Sequence, residues 1–96
     1  MKIKINYDYS QQALLGKEAN VEVAENTTLG ELLAQIDARV IEAGKEKNID
    51  ASGLCMLRDG ELGCIVAVNK KPPEDLLKYK LQDGDEIDVV FGFCGG

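Results

Sequence analysis

The chain has 96 residues, 45% of them hydrophobic and 29% charged, with a formal net charge of −6. That length supports one hydrophobic core but not two, and the composition is that of an ordinary globular domain. Eleven basic residues against seventeen acidic ones leave no basic stripe for nucleic acid, and the absence of histidine removes the commonest general base and metal ligand.

Lys2-Ile3-Lys4-Ile5-Asn6-Tyr7 alternates polar and apolar residues, which predicts a half-buried strand. Gln11 to Gly16 reads as a connecting turn, and Asn20 to Glu25 alternates again as a second strand, antiparallel to the first. The period then changes. Thr28 is an N-cap candidate with Glu31 three residues on, the pattern of a capping box. Leu29, Leu32, Leu33, Ile36, Val40 and Ala43 follow at helical spacing, predicting a helix over Leu29 to Ala43 with Gly44 as its stop. Lys45 to Ser52 is polar and reads as a loop.

Asp59-Gly60 favours a two-residue hairpin turn, because both central positions need positive φ. Arg58 then faces Glu61, Leu57 faces Leu62 and Cys55 faces Cys64, the last at a site where side chains lie closest. Two such cysteines are expected within about 7 Å of each other and reduced in a cytosolic protein. A metal site there is disfavoured, since only one other cysteine is available, and an iron–sulfur cluster would need four with close spacing. Ile65 to Asn69 continues as a strand until Lys70-Lys71-Pro72-Pro73 breaks it. Glu74 to Leu81 is a mixed connector with room for one helical turn and a short edge strand. Asp83-Gly84-Asp85 is another turn, before a final strand from Glu86 to Phe93. No apolar run approaches the roughly 18 residues that a membrane span needs, and the N-terminal stretch has no signal-peptide pattern. Cytoplasmic residence without a membrane partner is expected.

One helix among four to five strands is an α+β layout. It is solved most simply by laying the helix across one face of a mixed sheet whose last strand lies centrally beside the first, the β-grasp arrangement. Ile65, Ala67 and Val90 then fall on the face away from the helix, with Phe91 packed in the core and Phe93 near the tail. After the last strand come Cys94 and Gly95-Gly96, a short arm whose two glycines can thread a slot too narrow for side chains.

Several motifs occur in order: Thr28-Leu29-Gly30-Glu31-Leu32-Leu33 opening the helix, Asp59-Gly60-Glu61-Leu62, Val68-Asn69, Asp83-Gly84-Asp85-Glu86 and Gly95-Gly96. In this the sequence resembles the ThiS/MoaD sulfur-carrier family across most of the chain, most closely from Asp59 to Gly96. Cys94 departs from the pattern, standing where the family usually has Ala, Ser or Thr. The resemblance implies a ubiquitin-like fold over residues 1–96 with a flexible Gly-Gly tail. It implies that a ubiquitin-activating-type enzyme adenylates Gly96 with ATP and that a persulfide sulfur converts it to a thiocarboxylate. A synthase making thiamine thiazole or molybdopterin would then accept the sulfur. The carrier would be a co-substrate that binds no cofactor itself. Gly96 and Gly95 would be the reactive end, and Phe91, Phe93, Cys94, Val90, Ile65 and Ala67 the partner-binding residues. A ubiquitin-like modifier conjugated to lysines through Gly96, a small subunit of a molybdopterin synthase, or a subunit whose tail only docks are the alternatives.

Overall fold

The computed structural model describes residues 1–58, 61–72 and 74–91, with the backbone alone at Arg58. In β1 (Lys2–Asn6) the alternation turns Ile3 and Ile5 inward, where both are fully enclosed. β2 (Glu18–Glu22) lies antiparallel to it, with Ile3 opposite Val21. β6 (Glu86–Val90) runs parallel on the other side, with Ile5 beside Ile87. β5 (Ile65–Val68) pairs antiparallel with β6, Val66 opposite Val89. The order β2-β1-β6-β5 therefore puts the first and last described strands at the centre. A separate ribbon joins β3 (Leu57–Arg58) to β4 (Glu61–Leu62).

The long helix, α2 (Leu29–Glu46), covers one face. Its buried stripe of Leu29, Leu32, Leu33, Ile36 and Val40 clusters with Ile3, Ile5, Val66, Val68, Ile87 and Val89. Each such side chain contributes about 1.5–3 kcal/mol relative to exposure. The expected capping box is present: Thr28 Oγ1 accepts the Glu31 N–H at 3.2 Å, and Glu31 Oε1 accepts the Thr28 N–H at 3.3 Å.

Four local expectations are corrected. The segment read as a turn from Gln11 to Gly16 is helical, as α1 (Tyr9–Leu15). Asp8 caps it by accepting the Ser10 N–H at 2.9 Å, while Gln11 Oε1 accepts the Asp8 N–H at 3.3 Å. The second strand starts and ends earlier than expected, although Met1 and Val23 still exchange backbone hydrogen bonds of 2.9 Å in both directions. Gly44 does not stop α2; it is buried inside it, and a Cβ there would meet Ala51 Cβ at 2.8 Å. The helix ends one turn later in a Schellman arrangement, with Asn48 at φ 58° and the Ile49 N–H donating to Gly44 C=O at 2.9 Å. The final strand stops at Val90; the expected residues beyond Phe91 lie outside the described ones.

The β3–β4 register is the one that a two-residue turn demands, with Leu57 opposite Leu62 and Arg58 opposite Glu61; Asp59 and Gly60 themselves lie outside the described residues. The Gly63 N–H adds one more bond, to Met56 C=O at 2.8 Å. There the ribbon opens, because Asp37 on α2 takes the Met56 N–H at 2.6 Å and the Leu57 N–H at 2.9 Å. Cys55, half-buried, and Cys64, buried, flank this opening. β5 reverses before the prolines, through Asn69 and Lys70 at φ 51° and 70°, with Val68 and Lys71 bonded to each other across the turn. The connector to β6 holds a 3-10 turn at Leu76–Lys78 and a single bridge between Thr28 and Lys80.

Candidate functional site

Strand alternation decides what surrounds the end of β6. Val66, Val68, Ile87 and Val89 point to α2 and are buried, so Ile65, Ala67, Asp88 and Val90 must face outward. Ile65 and Val90 are directly opposite each other and stay 57% and 47% exposed, while Ala67 is half-buried opposite Asp88. Phe91 is partly buried against the core. Phe93, Cys94, Gly95 and Gly96 lie outside the described residues. Ile65, Ala67 and Val90 thus come together on the outer face where the chain leaves the sheet, whereas Phe91 packs against the core.

The rest of this outer face is polar, and its centre is a linked network. Asn6 Nδ2 donates to Glu86 Oε2 at 2.7 Å and to Asp88 Oδ1 at 2.8 Å, and Lys70 Nζ meets Asp88 Oδ2 at 3.2 Å. The hydrogen bond from Asn6, aided by Lys70, holds the Asp88 carboxyl below its ordinary range despite some burial. Lys4 lies 3.5 Å from Glu18 and 3.9 Å from Glu86. The apolar pair therefore sits beside a polar network built on Asn6, Asp88 and Lys70.

Three aspartates do more than the sequence disclosed. Asp8 caps α1 and also accepts the Phe91 N–H on Oδ1 at 2.9 Å. Partial burial pushes its carboxyl up, but the hydrogen bonds from Ser10, Phe91 and Tyr9 outweigh this and hold it below the usual carboxylate range. Asp85, buried, closes the turn before β6 by accepting from Asn69 Nδ2, Tyr79 Oη and the Gln82 N–H, each at 2.9 Å. Burial and that carboxylate push the Tyr79 hydroxyl up. Asp37 ties the ribbon to α2, and burial raises its carboxyl more than the Met56 and Leu57 N–H groups lower it. The signal for Asp8 was available: Asp8-Tyr9-Ser10-Gln11 has capping-box spacing. Asp85 sat in a segment read only as a turn, which it also is, with Gly84 at φ 87°.

A family model described as the ThiS family matches residues 3–96. The solved structures that resemble the chain include the HVO 2177 protein of Haloferax volcanii, 22% identical with a TM-score of 0.74 over 100% of this chain and 87% of that one. A Pyrococcus furiosus protein described as molybdopterin converting factor, subunit 1, is 24% identical with a TM-score of 0.66, over 94% and 95% of the two chains. SAMP1 from Haloferax volcanii is 19% identical with a TM-score of 0.70, over 100% of each. At these identities the structural likeness speaks for the ubiquitin-like β-grasp fold alone. No curated protein matches the chain at a significant level. No described helix is long and apolar enough to cross a membrane. The family model's match extends over nearly the whole sequence, and the chain belongs to the ThiS family.

Proposed function

We propose that the chain carries sulfur on Gly96 as a co-substrate of an ATP-dependent adenylating enzyme. The observation that carries this reading is the family match, which continues through Gly96. A carboxylate is a poor electrophile, so an oxygen of Gly96 first attacks the α-phosphorus of ATP and pyrophosphate leaves. The terminal sulfur of a donor persulfide then attacks the acyl carbon and AMP leaves. The new bond is carbon–sulfur, and a thiol then attacks the donor's own sulfur–sulfur bond, leaving with the donor as a mixed disulfide and freeing the thiocarboxylate. ATP is bound by the partner enzyme, and the carrier supplies the acyl group and its delivery. The five residues that follow Phe91, Gly92 to Gly96, could span at most about 17 Å, enough to enter a buried site.

In this reading the partner docks on Ile65, Ala67 and Val90, and Phe91, Phe93 and Cys94 line the path of the arm. The acceptor is a cytoplasmic synthase of the thiamine-thiazole or molybdopterin type. A second reading shares the activation step: SAMP1 is by name a small archaeal modifier protein, and a lysine amine attacking the Gly96 adenylate would give an isopeptide bond.

Intact-mass measurement after incubation with the adenylating enzyme, ATP and a persulfide donor tests the proposal. The wild-type chain is expected to gain the mass difference between sulfur and oxygen. A chain lacking Gly96 is expected to gain nothing while melting at the same temperature. Sulfur loading of the truncated chain would overturn the proposal, and high-mass conjugates in place of the sulfur adduct would favour the modifier reading.

A further inference from the structure

We infer that Asp8 is the positioning residue of the arm: its carboxylate takes over from the β1–β6 ladder at Phe91 and fixes where the chain leaves the sheet. For its consequence in sulfur transfer this rests on the carrier reading above.

The parallel ladder pairs Asn6 with Asp88, its last registered pair. Beyond Asn6 the β1 backbone is occupied elsewhere. The Tyr7 N–H goes to Lys17 C=O at 3.2 Å, and Tyr7 C=O accepts from Gln12 Nε2 at 3.3 Å. Asp8 C=O accepts the Gln11 N–H at 2.9 Å, and the Asp8 N–H goes to Gln11 Oε1. What Phe91 meets instead is the Asp8 side chain, 83 positions away in sequence. The two carboxylate oxygens have separate duties, Oδ2 for the Ser10 N–H and Oδ1 for the Phe91 N–H, each at 2.9 Å. An anionic acceptor strengthens both bonds. The anchor is also held from behind. Gln11, with no exposed surface, donates through Nε2 to Leu54 C=O at 3.1 Å, tying α1 to the 3-10 turn at Ser52–Leu54.

Separate duties allow separate removal. Asn and Ser cap helices about as well as Asp. An Asn amide has one oxygen, so when that oxygen caps Ser10 its NH2 opposes the Phe91 N–H, donor against donor. A Ser hydroxyl caps but offers no second oxygen. Asp8→Asn and Asp8→Ser therefore keep α1 and release Phe91.

Amide exchange by NMR and steady-state sulfur loading, run on both variants, test the inference. Exchange at Phe91 is expected to accelerate about tenfold, the scale set by losing a hydrogen bond to a charged acceptor. The Gly16 amide, bonded to Gln12 C=O at the C-terminal end of α1, is expected to keep its protection. In loading, kcat is expected to fall about tenfold while KM for the carrier stays within about twofold, since the docking face is untouched and only the arm's placement changes. Unchanged exchange at Phe91, or wild-type kcat in both variants, overturns the inference. A wild-type chain that takes up no sulfur would overturn the carrier reading instead, and exchange at Phe91 would still decide whether Asp8 holds the root of the arm.

Discussion

Val89 and Val90 are the same side chain on neighbouring residues of β6, yet one is 3% exposed and the other 47%. Val89 lies opposite Val66 beneath α2; Val90 lies opposite Ile65 on the outer face. Chemistry does not separate them, and pleat alone does. The inner valine has its surface taken by the fold, whereas the outer one keeps apolar surface beside a polar network that has no use for it. On this sheet a single residue step separates a position that holds the protein together from one available to a partner.

The largest effect expected from breaking this contrast is Val89→Asp. A carboxylate forced beneath α2 should cost about 4 kcal/mol or more, a large share of the roughly 5–15 kcal/mol that a domain of this kind has. Val90→Asp should change stability by no more than about 0.5 kcal/mol. It should nonetheless weaken binding to the adenylating enzyme about tenfold, as for the loss of a central apolar contact. Thermal melts paired with a binding titration check both. Similar melting temperatures for the two variants would mean that the faces are wrongly assigned.

That contrast was legible in the sequence, because strand alternation needs only a period of two, and the α2 stripe was legible from a period near four. α1 escaped because its one fully buried residue is Gln11, a polar side chain that a search for apolar spacing passes over. Gly44 was misread because a glycine that ends a helix and one that admits a neighbour look alike until Ala51 is seen against it. The outer patch followed from alternation, but the Asp8–Phe91 bond has no local pattern, since its partners meet only when β1 and β6 pair. Nor does any local pattern show that Asp37 holds two backbone N–H groups of a ribbon about twenty residues on.

The outer and inner carboxylates also respond oppositely to acid, which sharpens the same contrast. Asp8 and Asp88 have lowered pKa values, so their stabilisation is present above the ordinary value of 3.8 and is lost as pH falls through the lowered ones. Asp37 is raised, chiefly by burial, so its contribution is full below 3.8 and is lost as pH rises through the raised value. In the wild type Asp37 therefore offsets part of the acid-side loss. Asp37→Asn should cost about 1–3 kcal/mol near neutrality, because one of the Met56 and Leu57 N–H groups loses its acceptor. The same variant should lose stability more steeply than wild type on going from about pH 6 to about pH 3. Urea melts across that range read both effects; an acid limb with unchanged slope would show that Asp37 does not titrate there.

The smallest expected effect lies at the turn that ends β5. Lys70 sits at φ 70°, where a side chain is strained and glycine is not. Lys70→Gly should relieve about 1 kcal/mol of that strain and forfeit an exposed ion pair with Asp88 worth about 0.5 kcal/mol. A modest rise in melting temperature is expected, and a fall would assign the ion pair the larger role.

The central place of β6 has a consequence for how the molecule is made. Synthesis proceeds from the N-terminus, so β1 emerges early and must wait for the partner encoded from Glu86 onward. Until then one long edge of β1 is unpaired, and β5 has no neighbour in the main sheet. Such edges invite pairing with other chains, and contacts this distant in sequence form slowly. The strand that completes the sheet is also the strand from which the arm departs. A polypeptide terminated before Glu86 lacks the centre of its sheet, so it is exposed to proteolysis and aggregation rather than passing as a folded copy that merely lacks a tail.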